Sequence, residues 1–204
     1  MHWLLLALAF ALGTIPFGYL LYRWRTGGDI RRQGSGNIGA TNVLRASGAR
    51  LGVLTLVLDA AKGWLAVWLA LRWGGGEAVL LAAALVLVIA GHVFSPWLGW
   101  KGGKGVATAL GAFLALAPLT LAEAAVVFLV VLAAWRYVSL ASICACVALP
   151  LLLLLPLRQG RVGGVVVIAA ALAAVLIISR HGGNLGRLRR GTEAKLGAHA
   201  GRTA

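Results

Sequence analysis

The seven residues Gly102-Gly103-Lys104-Gly105-Val106-Ala107-Thr108 combine four positions with little or no side chain and one cation. They stand where an apolar stretch meets a basic face. Backbone N–H groups close to a lysine at a helix start form an anion cradle. At a membrane surface such a cradle suggests a phosphate-bearing substrate handled beside lipid. A tight interfacial turn is the blander reading. The spacing is not that of a nucleotide-binding loop. Gly-x4-Gly-Lys-Ser/Thr requires glycine where Leu98 stands and Ser or Thr where Gly105 stands.

Further polar groups fall into sets. Gly34-Ser35-Gly36-Asn37-Ile38-Gly39-Ala40-Thr41-Asn42 is followed by Arg45. Its glycines permit positive φ and close backbone approach. Ser35, Asn37, Thr41 and Asn42 offer hydrogen bonds, and the Arg45 guanidinium offers a fork that matches phosphate. Asp59 and Lys62 lie three apart inside an apolar segment, on one helical face. Charges at membrane depth are paired and face the bundle, so Lys62 reads either as half of a structural ion pair or as a substrate contact. Gly91-His92 leads through Lys101 to the glycine-lysine loop, and His92 alone could simply cap or brace a helix. Ser139 and Ser142 follow Arg136-Tyr137. His181, Asn184, Arg187 and Glu193 follow the last apolar segment, with Glu193 expected to pair with a nearby Arg or Lys.

Some chemistry is missing. There is no His-Glu-x-x-His and no carboxylate dyad, and no histidine is followed five residues later by Asp. Asp29 and Asp59 are the only aspartates, so no Ser-His-Asp triad assembles. Cys144 and Cys146 sit in an apolar run and fit neither a disulfide framework nor a zinc pattern. No metal or cofactor is expected.

The elements that must position these groups are membrane spans. The chain of 204 residues is 61% hydrophobic, with mean hydropathy +0.92; soluble domains are roughly 45–50% apolar. The expectation is an all-α, polytopic integral membrane protein formed as one domain over 1–204. Apolar segments run over 3–22, 51–73, 78–99, 106–134, 138–156 and 162–179. The first is read as a retained span, not a signal peptide. Pro118 should break the fourth into 106–117 and 119–134, which reach only about 18 and 24 Å at 1.5 Å per residue.

Charge then sets the count. The net charge is +14, from 19 Lys and Arg against five acids. In so apolar a chain this indicates positive-inside bias and anionic headgroups rather than nucleic acid. Arg23, Arg25, Arg31, Arg32, Arg45 and Arg50 mark one cytoplasmic segment. Arg180, Arg187, Arg189, Arg190, Lys195 and Arg202 mark another. The number of crossings between them must be even, which requires the Pro118 segment to cross twice. Seven transmembrane helices follow, with the N-terminus outside, the C-terminus cytoplasmic and the polar sets on the cytoplasmic side. Gly13, Gly18, Gly111 and Ala82 to Ala84 should allow close helix packing.

The ordered motifs together resemble the PlsY family of bacterial acyl-phosphate:glycerol-3-phosphate acyltransferases. They are Ser35-Gly36-Asn37-x-Gly39-Ala40-Thr41-Asn42-x2-Arg45, Asp59-x2-Lys62-Gly63, Gly91-His92, the glycine-lysine loop, Ser139-Leu140-Ala141-Ser142, and His181-x2-Asn184-x2-Arg187-Leu188-x2-Gly191-Thr192-Glu193. The likeness covers essentially the whole chain. It implies a multi-pass enzyme of the bacterial inner membrane. Such an enzyme transfers a fatty acyl group from acyl phosphate to the 1-hydroxyl of glycerol 3-phosphate, giving lysophosphatidic acid and phosphate at the start of phospholipid synthesis. Neither acyl-CoA nor acyl carrier protein is expected as the direct donor, and no obligate protein partner is inferred. By the same resemblance the glycine-lysine loop serves glycerol 3-phosphate, while Ser35, Arg45, His181 and Asn184 are needed for activity. Gly182 stands where many members carry arginine.

Both substrates carry phosphate, so cations must converge, and the donor also needs a lipid-open groove. The expected catalytic set is Ser35, Arg45, Lys104, Ser142, His181 and Asn184. The expected substrate-binding set is Gly36, Asn37, Thr41, Asn42, Lys62, His92, Gly102, Gly103, Gly105 and Thr108. With no carboxylate near the loop, direct attack by the glycerol hydroxyl is expected, and the substrate phosphate accepts the proton. An anion transporter and a noncatalytic scaffold are the competing classes. The first calls for related halves and polar groups through the bilayer depth; the second needs no glycine-rich cradle.

Overall fold

The computed structural model describes residues 1–197; residues 198–204, and Arg202 of the basic tail with them, lie outside the described residues. Among the described residues the fold is all helical. In chain order α1 (His2–Thr14), α2 (Phe17–Thr26), α3 (Ala40–Ser47), α4 (Ala49–Trp73), α5 (Ala78–Val93) and α6 (Val106–Leu116) are followed by α7 (Pro118–Trp135), α8 (Val138–Leu152), α9 (Leu154–Arg158), α10 (Gly164–Ser179) and α11 (Gly182–Arg189).

Among the described residues, five units are long and apolar enough to cross a membrane: His2–Thr26, Ala49–Trp73, Ala78–Leu98, Pro118–Trp135 and Val138–Arg158. The α10–α11 pair makes a sixth when taken together, bent by 59° between its halves. The eleven-residue α6 spans only about 16 Å. It is an apolar helix below the length of a bilayer core. The expected break falls where the sequence put it: α6 ends at Leu116, and Pro118 opens α7. Proline is tolerated there because a first-turn N–H has no partner within the helix.

A second break was not anticipated. The first apolar segment divides at Ile15-Pro16. Proline removes a donor and crowds the preceding turn, so carbonyls at the end of α1 are left open. Ser95 Oγ donates to Thr14 O at 2.7 Å, and Lys62 Nζ donates to Ile15 O at 2.7 Å. The break is thereby tied to α4 and to the loop after α5.

Glycines bring the inner helices together in reciprocal pairs. A Cβ on Gly13 would strike Val88 O, and one on Gly91 would strike Phe10 O. Likewise Gly63 faces Thr108 O, and Gly111 faces Ala60 O. The main core threads α1, α4, α5, α6, α8 and α10, with Leu85, Val88, Ile89, Ala112 and Leu153 fully buried. A smaller core of Tyr22, Ile30, Ile38, Val43 and Leu98 lies under the polar loop before α3. It matters most for function, because it fixes that loop against the bundle.

The two ends of the molecule differ. His2 lies 3.5 Å from Glu77 across one end. At the other, Leu196 N–H donates to Arg136 O at 2.7 Å, and Arg45 Nη2 donates to Ala194 O at 3.1 Å. The second end gathers the polar sets.

Candidate active site

Asn42 builds the first wall. Its side-chain oxygen accepts the Ser35 N–H at 3.0 Å. Its amide donates to Asn37 O at 2.8 Å and to Gln33 O at 3.0 Å. The Asn37 side chain in turn accepts the Gly39 N–H at 2.8 Å. Gly34 and Gly36 take left-handed turns at φ +52° and +71°, conformations that favour glycine. The expected polar cluster is therefore real, but Asn42 spends its hydrogen bonds shaping the loop that presents Ser35. α3 then carries Thr41 and Arg45 to the cavity wall.

The glycine-lysine loop forms the second wall. Gly102 N–H donates to Val93 O at 3.0 Å, and Gly103 N–H donates to His92 O at 3.1 Å. Those two donors hold the loop to the end of α5 and are not free to hold an anion. What remains is Lys104 and the first turn of α6, entered through Gly105 at φ +87°. The loop is still a cationic helix start, but fewer of its amides are free than the glycine count suggests. Desolvation pulls the Lys104 pKa down to about 8, with Arg187 and Arg45 adding to it and Glu193 opposing.

α10, α11 and the strand-free segment after them supply the third wall. His181 Nδ1 lies 2.8 Å from Ile177 O, and only an N–H can satisfy a carbonyl, so Nε2 carries the lone pair. Burial, then the nearby Lys104, pull its pKa down to about 4. Glu193 collects three donors: Ser139 Oγ at 2.7 Å, Asn184 Nδ2 at 2.6 Å and Arg187 Nε at 2.6 Å. Desolvation works against this carboxylate, but the three hydrogen bonds outweigh it and leave its pKa below the ordinary value. The expected Glu193 ion pair is present, with Arg187.

These walls enclose two adjoining cavities of about 480 Å³ each. One is cationic and lined by Arg31, Lys101, Lys104, Arg180 and Arg187, with Gly36 and Gly102 among its backbone. The other runs from polar residues into an apolar groove of Leu56, Leu110, Phe113, Leu121, Phe128 and Leu149. Ser35, Asn37, Lys104 and Asn184 line both, so they mark the junction. Arg45, Ser142, His181, Thr41, His92 and Gly105 line the groove cavity. All six residues of the expected catalytic set therefore converge. Ser142 Oγ meanwhile donates to Val138 O at 2.8 Å.

Three expected binding residues do not reach the cavity walls. Lys62 turns to the broken helix instead and lies 2.8 Å from Asp59 Oδ1, off the line of a hydrogen bond. Gly103 is covered by the His92 ring, and Thr108 is fully buried where α6 meets Gly63. Conversely, Arg31, Lys101 and Arg180 line the cationic cavity, although the sequence offered them only as positive-inside or linking residues. The hydrogen bond between Ser139 and Glu193 was not visible in the sequence because it spans 54 residues.

Comparison with known proteins is consistent over nearly the whole chain. The glycerol-3-phosphate acyltransferase family matches residues 3–191. A glycerol-3-phosphate acyltransferase of Trichlorobacter lovleyi is 46% identical over 190 residues, covering 93% of this chain and 95% of that one. One of Methylorubrum populi is 48% identical over 192 residues, covering 94% and 91%. The crystal structure of PlsY, an integral membrane glycerol 3-phosphate acyltransferase, in its glycerol 3-phosphate form superposes with TM-score 0.89. It is 38% identical, with 96% of each chain covered. The lysophosphatidic acid form gives TM-score 0.86 at 37% identity, covering 96% of this chain and 95% of that one.

Proposed function

The chain belongs to the glycerol-3-phosphate acyltransferase family, and from that premise we propose that it moves a fatty acyl group from acyl phosphate to the 1-hydroxyl of glycerol 3-phosphate. The products are lysophosphatidic acid and inorganic phosphate. The observation that carries this reading is the junction of a cationic cavity with an apolar groove at Ser35, Asn37, Lys104 and Asn184. A phosphorylated triol fits the first, an acyl chain fits the second, and the bond to be made lies between them.

The reaction needs little covalent help from the protein. An acyl phosphate is a mixed anhydride with a good leaving group. The glycerol hydroxyl attacks the acyl carbonyl, the bond from carbonyl carbon to phosphate oxygen breaks, and phosphate leaves with the electron pair. The protein's part is to hold hydroxyl and carbonyl in line and to meet developing charge. Lys104 and Arg45 neutralise, while Ser35, Ser142, His181 and Asn184 orient. The remaining proposed contacts are Gly36, Asn37, Thr41, His92 and Gly105, with Gly102 giving the substrate close approach to the backbone and not a free N–H.

The hydroxyl proton goes to the phosphate of glycerol 3-phosphate. His181 is held near pKa 4, whereas a phosphate monoester has a second pKa of about 6 and brings it next to its own hydroxyl. The substrate is thus the stronger base at the junction. The enzyme sits in the cytoplasmic membrane of a bacterium with this junction on the cytoplasmic side, where positive-inside bias puts the basic end.

Purified protein in vesicles, given acyl phosphate and glycerol 3-phosphate, should release lysophosphatidic acid and phosphate in equal amounts. Equal rates with acyl-CoA or acyl carrier protein would overturn the donor. An acylated serine trapped with acyl phosphate alone, or ping-pong kinetics, would overturn direct transfer.

A further inference from the structure

Three buried polar residues from two helices meet beside the site. Lys62 Nζ lies 2.9 Å from His92 Nδ1, 2.8 Å from Asp59 Oδ1 and 2.7 Å from Ile15 O. An ammonium carries three donors and no lone pair, and the buried Asp59 carboxylate stands beside it to balance its charge. The Nδ1 of His92 must therefore offer its lone pair. A doubly protonated ring would set two cations in contact at 2.9 Å, and Asp59 Oδ1 lies farther from that ring nitrogen, at 3.6 Å. The proton of the neutral ring is left on Nε2.

That nitrogen lies against the glycine-lysine loop, since a Cβ on Gly103 would collide with it. Among the described residues it has no hydrogen-bond partner, and His92 lines the groove cavity but not the cationic one. A donor at a cavity wall with no partner in the protein is free to meet an oxygen supplied by a ligand. We infer that Lys62 fixes His92 as the tautomer protonated on Nε2, and that His92 gives this N–H to an oxygen of the acyl donor.

The inference rests on the acyl-transfer reading above and adds two roles to it. His92 is a substrate contact that cannot act as the base, because its cavity-side nitrogen already carries the proton. Lys62 is a positioning residue that works through His92 without reaching the substrate. Its own anchor, Ile15 O, is available only because Pro16 breaks the first span.

The test starts with the wild-type enzyme labelled with ¹⁵N-histidine in lipid vesicles, the His92 signals being assigned by their loss in His92→Gln. A bare Nδ1 and a protonated Nε2 are expected; a protonated Nδ1 would overturn the proposal whether or not the enzyme transfers acyl groups. Kinetics follow. Glutamine places an amide N–H near the position of Nε2, and asparagine near that of Nδ1. His92→Gln should keep most of kcat/KM for the acyl donor. His92→Asn and His92→Ala should lose roughly ten- to a hundredfold, as expected for a hydrogen bond to a charged group. Asparagine equal to glutamine, or a change confined to the KM of glycerol 3-phosphate, would overturn it. Lys62→Met combined with Asp59→Asn should lower kcat/KM in the wild-type background yet cost little more in the His92→Gln background. Equal losses in both backgrounds would reduce Lys62 to a structural tie.

Discussion

Lys104 stands at the junction of both cavities, and its environment sets how the enzyme should respond to pH. Burial holds it near pKa 8, so it is charged below that value and loses its charge as pH rises through it. The dependence of kcat/KM on pH reports groups of the free enzyme. An alkaline limb near pH 8 is therefore expected, and Lys104→Arg, which does not deprotonate in this range, should move that limb upward. On the proposed reading, Lys104→Ala removes a charge-assisted phosphate contact worth about 1.5–3 kcal/mol. A ten- to hundredfold loss of kcat/KM in a protein that still inserts and melts normally is expected, and near-normal turnover would dismiss the role. Residue types and order were enough to single out Lys104, Ser35, Arg45, Ser142, His181 and Asn184, which the fold brings to one cavity. They were not enough for Glu193, whose three donors come from α8 and from two positions on α11. Nor could a sequence show that Asn42 faces inward onto backbone, since it carries the same side chain either way.

Among the elements, the glycine-lysine loop behaves as a strap sewn to the end of α5. Gly102 lines the cationic cavity, and a methyl group there would run into His92 O. Gly102→Ala is expected to raise the KM for glycerol 3-phosphate severalfold, more than that for the acyl donor. The reverse pattern, measured by varying each substrate in turn, would assign the loop to the other cavity. The α4–α6 contact depends on Gly111, where an added methyl would press on Ala60 O. Gly111→Ala should cost about 1–3 kcal/mol, the usual range for overpacking, and lower the melting midpoint in detergent. The break at Pro118 was legible because an apolar run was too long for one span. The break at Pro16 was not, because its segment has the length of one ordinary span. α11 was also hidden: three glycines in eight residues, Gly182, Gly183 and Gly186, argue against a helix by propensity. What holds it is the anchoring of Asn184 and Arg187 on Glu193.

For the whole molecule, the parity of basic segments predicts seven crossings. The fold offers five long apolar units, the bent α10–α11 pair and the short α6 to make them. In a background lacking Cys144 and Cys146, cysteines near Pro118 and Arg158 should label only from outside, and one at position 139 only from inside. Outside labelling at 139 would break the parity argument. The polar sets gather at one end, away from the His2–Glu77 pair. That is the arrangement of a surface reaction and not of a path through the bilayer.

The groove has a consequence for how such an enzyme must be measured. Its wall includes Val53, Leu56, Leu110 and Leu129, each substantially exposed on the bundle's flank. The flank is lipid-facing, so a single-chain amphiphile can enter or leave sideways without its tail crossing water. One reactant is then counted in moles per litre and the other in mole fraction of the bilayer. At a fixed amount of donor and saturating glycerol 3-phosphate, adding inert phospholipid to the vesicles should slow the reaction by surface dilution, while adding buffer that carries the same glycerol 3-phosphate concentration should not.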